Sequence, residues 1–350
     1  MKGKKVTLSD IAKRLNISKS AVSMALNNSP EIPVRTRERV VKKAKAMGYV
    51  KNELVSSMMS SLKKTSYGGF SESIAIINGN KDEYALSNHP TLPKYFIGIK
   101  DEAKKLGYSI NEFWLHDLRL TPEKLERALR SRNIRGGVII GHSSDSVLPS
   151  GYECIWRNFY FVSIGIKTYN PTLEMVSADQ YAISYMAVEK AIALGYKRPG
   201  LVLEERIDDL VGGRFIGGYL RAQMKLPKSS RLDPFSEADS SPGYVKRLYE
   251  WFDKNRPDAV LYLLDSTREI LLRKKSFDAS TTKLIQLERR GYVPEWVGIE
   301  QNNDLVGRVA MRRLRDALNR NERPGKDTYN LTTLVPPTWV EASLEKEGKI

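Results

Sequence analysis

Val6-Thr7-Leu8-Ser9-Asp10-Ile11-Ala12-Lys13-Arg14-Leu15-Asn16-Ile17-Ser18-Lys19-Ser20-Ala21-Val22-Ser23-Met24-Ala25-Leu26-Asn27 reads as two short helices joined by a tight turn. Leu8, Ile11, Ala12 and Leu15 recur at helical spacing, and Thr7 with Asp10 forms a capping-box start. Ser18 stands ready to cap a second helix in which Val22, Ala25 and Leu26 face inward. Lys19, Ser20, Ser23, Met24 and Asn27 then make the opposite stripe. In a helix-turn-helix the second helix enters the DNA major groove with residues near its N-terminus on base edges.

The charge is distributed to match. Residues 1–64 hold 15 Lys/Arg against 4 Asp/Glu, a net of +11 out of the total +16, so the basicity belongs to one small module. Such a patch beside a helix-turn-helix is the footprint of phosphate contact. Lys2, Lys4, Lys5, Lys13, Arg14, Arg35, Lys42 and Lys43 are its candidate phosphate partners. Val34, Val40, Val41, Ala44 and Met47 mark a third helix that Gly48 terminates. The stretch from Asn52 to Lys64 reads as a short helix or a plain linker, and the hydroxyl- and glycine-rich residues 65–72 read as a domain boundary.

From Ser73 onward, β-rich runs such as Ile74–Ile77, Tyr108–Leu115, Val138–Ile140 and Phe159–Ile164 alternate with helical stretches near 93–106 and 122–132. A second set follows, with helices near 180–194, 213–224 and 243–254 and strands at Gly200–Leu203, Ala259–Leu264 and Leu284–Leu287. Two sets of this βα rhythm predict two doubly wound α/β lobes, with a ligand cleft at the carboxyl ends of their strands. With 350 residues and 41% hydrophobic content the chain can bury more than one core. The single cysteine, Cys154, excludes an internal disulfide. Met1-Lys2-Gly3-Lys4-Lys5 holds no apolar export segment and no run approaches a membrane span, so a cytoplasmic protein is expected.

Taken together the residues resemble the LacI/GalR family of bacterial transcription regulators. Thr7-Leu8-Ser9-Asp10-Ile11-Ala12, Val22-Ser23-Met24-Ala25-Leu26-Asn27, Thr36-Arg37-Glu38-Arg39-Val40 and Gly48-Tyr49 stand in that family's order and spacing. In the core, Gly98, Leu106-Gly107-Tyr108, Ile134-Arg135-Gly136-Gly137, Ala193-Leu194-Gly195-Tyr196 and Gln301-Asn302 with Gly307 are collinear with it. The resemblance implies a helix-turn-helix headpiece and hinge at residues 1–64 and a periplasmic-binding-protein-like (type I) core at 73–345. By analogy lobe 1 spans about 73–165 and 299–328, and lobe 2 about 166–298 and 329–345, with crossings near 166, 298 and 328. It further implies a homodimer on a near-palindromic double-stranded DNA operator, repression more than activation, and a small-molecule effector such as a carbohydrate. The C-terminal Leu344–Ile350 adds no long apolar heptad segment, which favours a dimer over a tetramer.

Carried over by position, Thr7, Ser18, Lys19, Ser20, Ser23, Met24 and Asn27 are the DNA-contacting candidates of the headpiece. Met24 replaces an arginine that would read guanine. A thioether offers only apolar contact, for instance to a thymine methyl, or else points to solvent and reads nothing. In the hinge, Met58 stands where the family wedges a leucine into the minor groove, and Val55 replaces a small alanine. Packing of Met58 on the core or a partner is the other reading.

For the effector, Tyr95, Arg214, Asp265 and Glu288 are the candidates. Arg214 aligns with a cleft arginine when matched on Gly217, and the match shifts by one on Gly218-Tyr219. Asp265 is preceded by Leu264 where an asparagine is usual, and Glu288 stands in for an aspartate. Tyr84, His89, Tyr95, Phe96, Trp114, Trp156 and Trp296 could stack on a sugar ring or simply belong to the core. Much of the sugar-gripping set is thus absent, leaving either a different effector or a core that senses none.

Two rival functions compete with this reading. An α/β enzyme lacks its chemistry: His89, His116 and His142 are scattered, with no metal spacing, and neither a phosphate loop nor a nucleophile elbow is present. No cofactor is expected. An architectural DNA binder with a non-sensing core would differ from a regulator by its low specificity ratio.

Overall fold

The computed structural model describes residues 6–29, 31–49, 72–141, 146–290, 296–322, 324 and 331–341. Val55, Met58 and the rest of the expected hinge and linker up to residue 71 lie outside the described residues, as does the C-terminal 342–350.

The headpiece is three helices: α1 (Leu8–Leu15), α2 (Lys19–Leu26) and α3 (Val34–Ala46). Local chemistry sets their ends. The Thr7 hydroxyl and the Asp10 carboxylate form the reciprocal capping box at α1, and Asn16 ends that helix in the left-handed conformation. Ser18 caps α2, its hydroxyl oxygen accepting from Ala21 N at 3.0 Å. Ile11, Val22 and Val40 are fully buried, one from each helix, and form the centre of a small core with Ala25, Ile32 and Ala44. Arg37, itself buried, donates to Asn28 and so fixes the turn that follows α2.

The core begins with β1 (Glu72–Asn78), α4 (Ala85–Asn88), α5 (Leu92–Leu106), β2 (Tyr108–Trp114), α6 (Pro122–Ser131), β3 (Gly136–Ile140), α7 (Glu153–Asn158), β4 (Tyr160–Ile164) and β5 (Glu174–Ala178). The second half runs α8 (Gln180–Ala193), β6 (Pro199–Leu203), α9 (Glu205–Leu210), α10 (Arg214–Gln223), β7 (Phe235–Ser236), α11 (Tyr244–Asn255), β8 (Ala259–Tyr262), α12 (Asp265–Leu272), β9 (Lys283–Gln286) and β10 (Gly298–Glu300). It closes with α13 (Asn303–Arg320), β11 (Thr332–Val335) and β12 (Thr338–Val340).

These strands form two six-stranded sheets, ordered β11-β5-β4-β3-β1-β2 and β12-β10-β9-β8-β6-β7. All pairs are parallel except β10 with β12. The fold is therefore the expected one, a helical headpiece plus two doubly wound lobes, and strands such as β3 and β4 are buried throughout, as parallel sheets covered on both faces require.

The crossings between lobes depart from the expected places. β5 and β11 complete the first sheet, so the chain leaves that sheet after Ala178 rather than near 166, and leaves it for the last time at Pro336–Pro337 rather than near 328. The middle crossing falls at Gln301–Asn302, between β10 of the second sheet and α13, which packs against α5. Hydrogen bonds lace the three together: Asp179 N donates to Val335 O at 2.9 Å, and the Asn302 amide donates to Pro336 O at 2.9 Å and Thr338 Oγ1 at 3.1 Å.

Each lobe owes its central helix pair to glycine. A Cβ on Gly98 of α5 would lie 1.9 Å from Asp304 O, and one on Gly218 of α10 would lie 2.1 Å from Tyr181 O of α8. Backbones this close tolerate no side chain. The α5–α13 pair is also clamped by charge: Arg312 Nε donates to Glu102 at 2.8 Å, and that guanidinium holds the Glu102 carboxyl below the usual range.

Candidate functional site

The DNA-facing candidate is the first turn of α2. Lys19 and Ser20 are exposed there, one and two residues inside the Ser18 cap, and carry donors outward from a helix N-terminus whose dipole favours phosphate. Thr7 is exposed, but its hydroxyl is committed to Asp10 at 2.6 Å. Ser23, Met24 and Asn27 are only half-exposed. Met24 packs against the headpiece core, and Asn27 closes α2 with its N–H on Ser23 O. The outward stripe expected of α2 is thus open at its N-terminal end and partly covered beyond it. An eight-residue helix wedged between α1 and α3 has little free circumference.

The second candidate is the cleft where the carboxyl ends of the two sheets meet. Tyr95 of α5 is buried, and its hydroxyl reaches the end of β4, where a Cβ on Gly165 would lie 3.7 Å away. Burial, then the negative charge of Glu288, pushes the phenol well above its ordinary range. Glu288, 2% exposed after β9, accepts from Arg290 at 2.7 Å and from the Asn303 amide at 3.0 Å. The same arginine, after burial, pulls the His89 imidazole below its usual value. His89 Nδ1 accepts from Thr91 N at 3.1 Å, which stabilises the neutral ring at the start of α5.

Lys94 spans the cleft. Its ammonium donates to Arg289 O at 2.8 Å and lies 3.3 Å from Glu300, both on the second lobe. Arg214 pairs with Asp179 at 2.9 Å, at the first crossing, while its Nε is buried without a partner among the described residues. Asp265 is exposed and accepts from Gln286 at 2.7 Å, and Gln286 in turn accepts from the Trp296 indole at 2.5 Å.

Tyr95 therefore lies within the electrostatic reach of Glu288. Arg214 is drawn toward the first crossing at Asp179, and Asp265 belongs to a separate chain with Gln286. Beside Arg214, a Cβ on Gly218 would lie 2.1 Å from Tyr181 O, whereas one on Gly217 would meet only the Tyr181 ring at 4.0 Å. Of the aromatic candidates, Tyr84 is exposed, Trp114 anchors a loop through Asn80 O at 2.9 Å, and Trp156 lies in the lobe 1 core on the far side. Phe96 is half-buried beneath Lys100.

Sequence reasoning missed Lys94, Arg290 and Asn303. Nothing marks Lys94, whose partners lie some two hundred residues away, whereas Arg290 follows Glu288 closely enough to have been suspected.

Lys94→Met removes the bridge between lobes. Because the pair is partly solvated, the core should lose less than about 1 kcal/mol of stability. The Leu287–Arg290 peptide should nevertheless exchange its amides faster, read by hydrogen-exchange mass spectrometry. Unchanged exchange there would show that Lys94 holds nothing together.

Residues 7–52 match the sequence profile of the bacterial regulatory proteins of the lacI family. The headpiece is similar to that family over these residues. Among curated relatives the chain is 24% identical over 194 residues to the HTH-type transcriptional regulator MalR of Streptococcus pneumoniae, a match covering 55% of each chain. It is 24% identical over 221 residues to the NTD biosynthesis operon regulator NtdR of Bacillus subtilis, covering 62% of this chain and 60% of that one. The chain thus spans little more than half the length of the curated relatives it matches.

Two solved structures share the fold of this chain nearly end to end. A transcriptional regulator CelR–cellobiose complex superposes with a TM-score of 0.56 at 17% identity, over 97% of this chain and 100% of that one. The lac repressor dimer bound to operator and the anti-inducer ONPF gives 0.53 at 18% identity, over 97% and 98%. Among the described residues no helix is long and apolar enough to cross a membrane, and no cluster of His, Cys, Asp and Glu could hold a metal ion.

Proposed function

We propose that this chain is a dimeric, sequence-specific DNA-binding regulator of transcription, a repressor by preference, whose core is biased by a small molecule in the inter-lobe cleft. The observation that carries the reading is the first turn of α2, where Lys19 and Ser20 are exposed beside a satisfied Ser18 cap in a module of net charge +11. A helix presented in this way is built to contact base edges and phosphate. Ser18, Lys19, Ser20 and Met24 are its proposed readers.

Exposed Ile97 on α5, Tyr181 on α8 and Leu220 and Met224 on α10 support a subunit contact through the core. The cellobiose in the CelR structure supports a carbohydrate as effector, with Tyr95 and Glu288 as its proposed polar contacts. Coupling follows if the effector binds one lobe arrangement better than the other, since a ligand shifts a conformational equilibrium only by its differential affinity.

One observation favours a second reading of the core. Lys94, Arg214 and Arg290, cationic groups at the lobe junction, already have partners within the chain. A core held together by its own side chains would sense no ligand. Operator binding measured with and without cellobiose and maltose separates the two readings.

For Met24 the expected experiment is a swap. A half-buried thioether offers apolar contact alone, so Met24→Arg should move the preferred base beneath α2 to guanine, a bidentate contact of about 1–3 kcal/mol. Selection of bound duplexes from a random pool reads this directly, and an unchanged motif would remove Met24 from the readers.

A further inference from the structure

We propose that the first lobe carries a second small-molecule site, at the end of its sheet opposite the inter-lobe cleft, suited to a planar aromatic carboxylate. A recess of about 240 Å³ opens there between α7, the start of β4 and the segment leading into β5. Trp156, Tyr160, Phe161, Pro171, Leu173 and Pro324 form its walls. The strands of this sheet are parallel and the cleft lies at their carboxyl ends, so a recess at the amino ends of β4 and β5 is a separate place. It is also the end at which β1 enters, following the headpiece in the chain.

Size, wall and polar groups each narrow the ligand. The volume falls below the roughly 300 Å³ at which drug-sized pockets begin, so it admits one ring system and not a disaccharide. Aromatic and proline walls favour a flat body, and Trp156 is itself held edge-to-face on Phe161 at 5.2 Å. Trp156 is only 3% exposed, yet its indole N–H has no acceptor among the described residues. A buried donor left in that state keeps its full desolvation penalty, which a ligand acceptor removes.

The other buried polar groups of the wall are satisfied. The Tyr160 hydroxyl donates to one oxygen of Glu174 at 2.7 Å, and Arg313 Nε donates to the other at 2.5 Å. Glu174 is therefore neutralised and opposes an anion little. On the rim, Arg157 is exposed and makes no ion pair at contact distance among the described residues; the Glu153 carboxylate accepts from Gly151 N at 3.1 Å and is held below its usual range by backbone N–H groups first and by the charge of Arg157 last. The indole asks for an acceptor, Arg157 for negative charge and the wall for a flat apolar body. A planar aromatic carboxylate supplies all three.

The test uses the full-length protein without DNA, titrated with salicylate and with uncharged benzamide by ligand-observed NMR. Salicylate should bind saturably and more tightly than benzamide, and Trp156→Phe and Arg157→Ala should each weaken it by about tenfold. Absence of saturable salicylate binding at millimolar concentration overturns the proposal. So does binding that neither variant changes, which would place the ligand elsewhere. Should Trp156→Phe fail to fold, the surface change Arg157→Ala decides alone. The site stands or falls without reference to operator recognition, because no DNA enters the assay.

Discussion

Gly307→Ala is expected to unfold the first lobe under conditions in which the second stays folded. The added Cβ would lie 2.1 Å from Tyr95 O and 3.0 Å from Ile99 N, both backbone atoms of α5, so no side chain can rotate away to make room. α5 and α13 would have to separate, opening a core in which Ile99, Val306 and Ala310 are wholly buried and loosening the Arg312–Glu102 clamp. Overpacking typically costs about 1–3 kcal/mol and more where the backbone must move, so a loss of about 3 kcal/mol or above is expected. Gly217→Ala is the matched control. It also sits in a helix, but its Cβ would meet only the Tyr181 ring at 4.0 Å, so it should be neutral or stabilise by up to about 1 kcal/mol. Urea denaturation of both variants reads the contrast, and equal midpoints would mean that the α5–α13 approach is not as close as described.

Val22→Asp should abolish DNA binding while leaving the core intact. Val22 is fully buried at the centre of the headpiece, against Ile11 and Val40. An unpaired carboxylate there costs several kcal/mol, comparable with the whole stability of so small a module, about 3–5 kcal/mol. The expected result is at least about a hundredfold loss of affinity for duplex DNA in fluorescence anisotropy at low salt, since unfolding removes the ordered array of phosphate contacts. The thermal transition of the two lobes should not move. Retained binding would mean that DNA is held by the core or by charge alone.

The headpiece was legible because its signals are local. The Thr7–Asp10 box, the Ser18 cap and the apolar spacing of Ile11, Val22 and Val40 each act within a few residues, and the structure realises every one of them. The two lobes were legible through their βα alternation. The crossings were not. β5, Glu-Met-Val-Ser-Ala, and β10, Gly-Ile-Glu, are short and take their place from neighbouring strands rather than from their own composition. Helix α13 is 18 residues long, but Arg308, Arg312, Arg313, Arg315 and Arg320 interrupt its apolar stripe. Arg312 and Arg313 make sense only beside their distant partners, Glu102 and Glu174, whereas Arg308, Arg315 and Arg320 pair locally with Asp304, Asp316 and Glu322.

The same holds at the cleft. Tyr95 and Glu288 could be nominated from sequence, yet their environment depends on Lys94, Arg290 and Asn303, brought together from three distant segments. That Arg214 turns to Asp179 follows from where the first crossing lies, which the family analogy placed too early.

The most direct measurement is to incubate the full-length protein with sheared genomic DNA at near-physiological salt, recover what it holds and sequence it. A sequence-specific dimeric regulator should enrich a two-fold symmetric motif, preferred over random duplex by at least about a thousandfold. Recovery that rises only with fragment length, with no motif either alone or with cellobiose and maltose present, would contradict it.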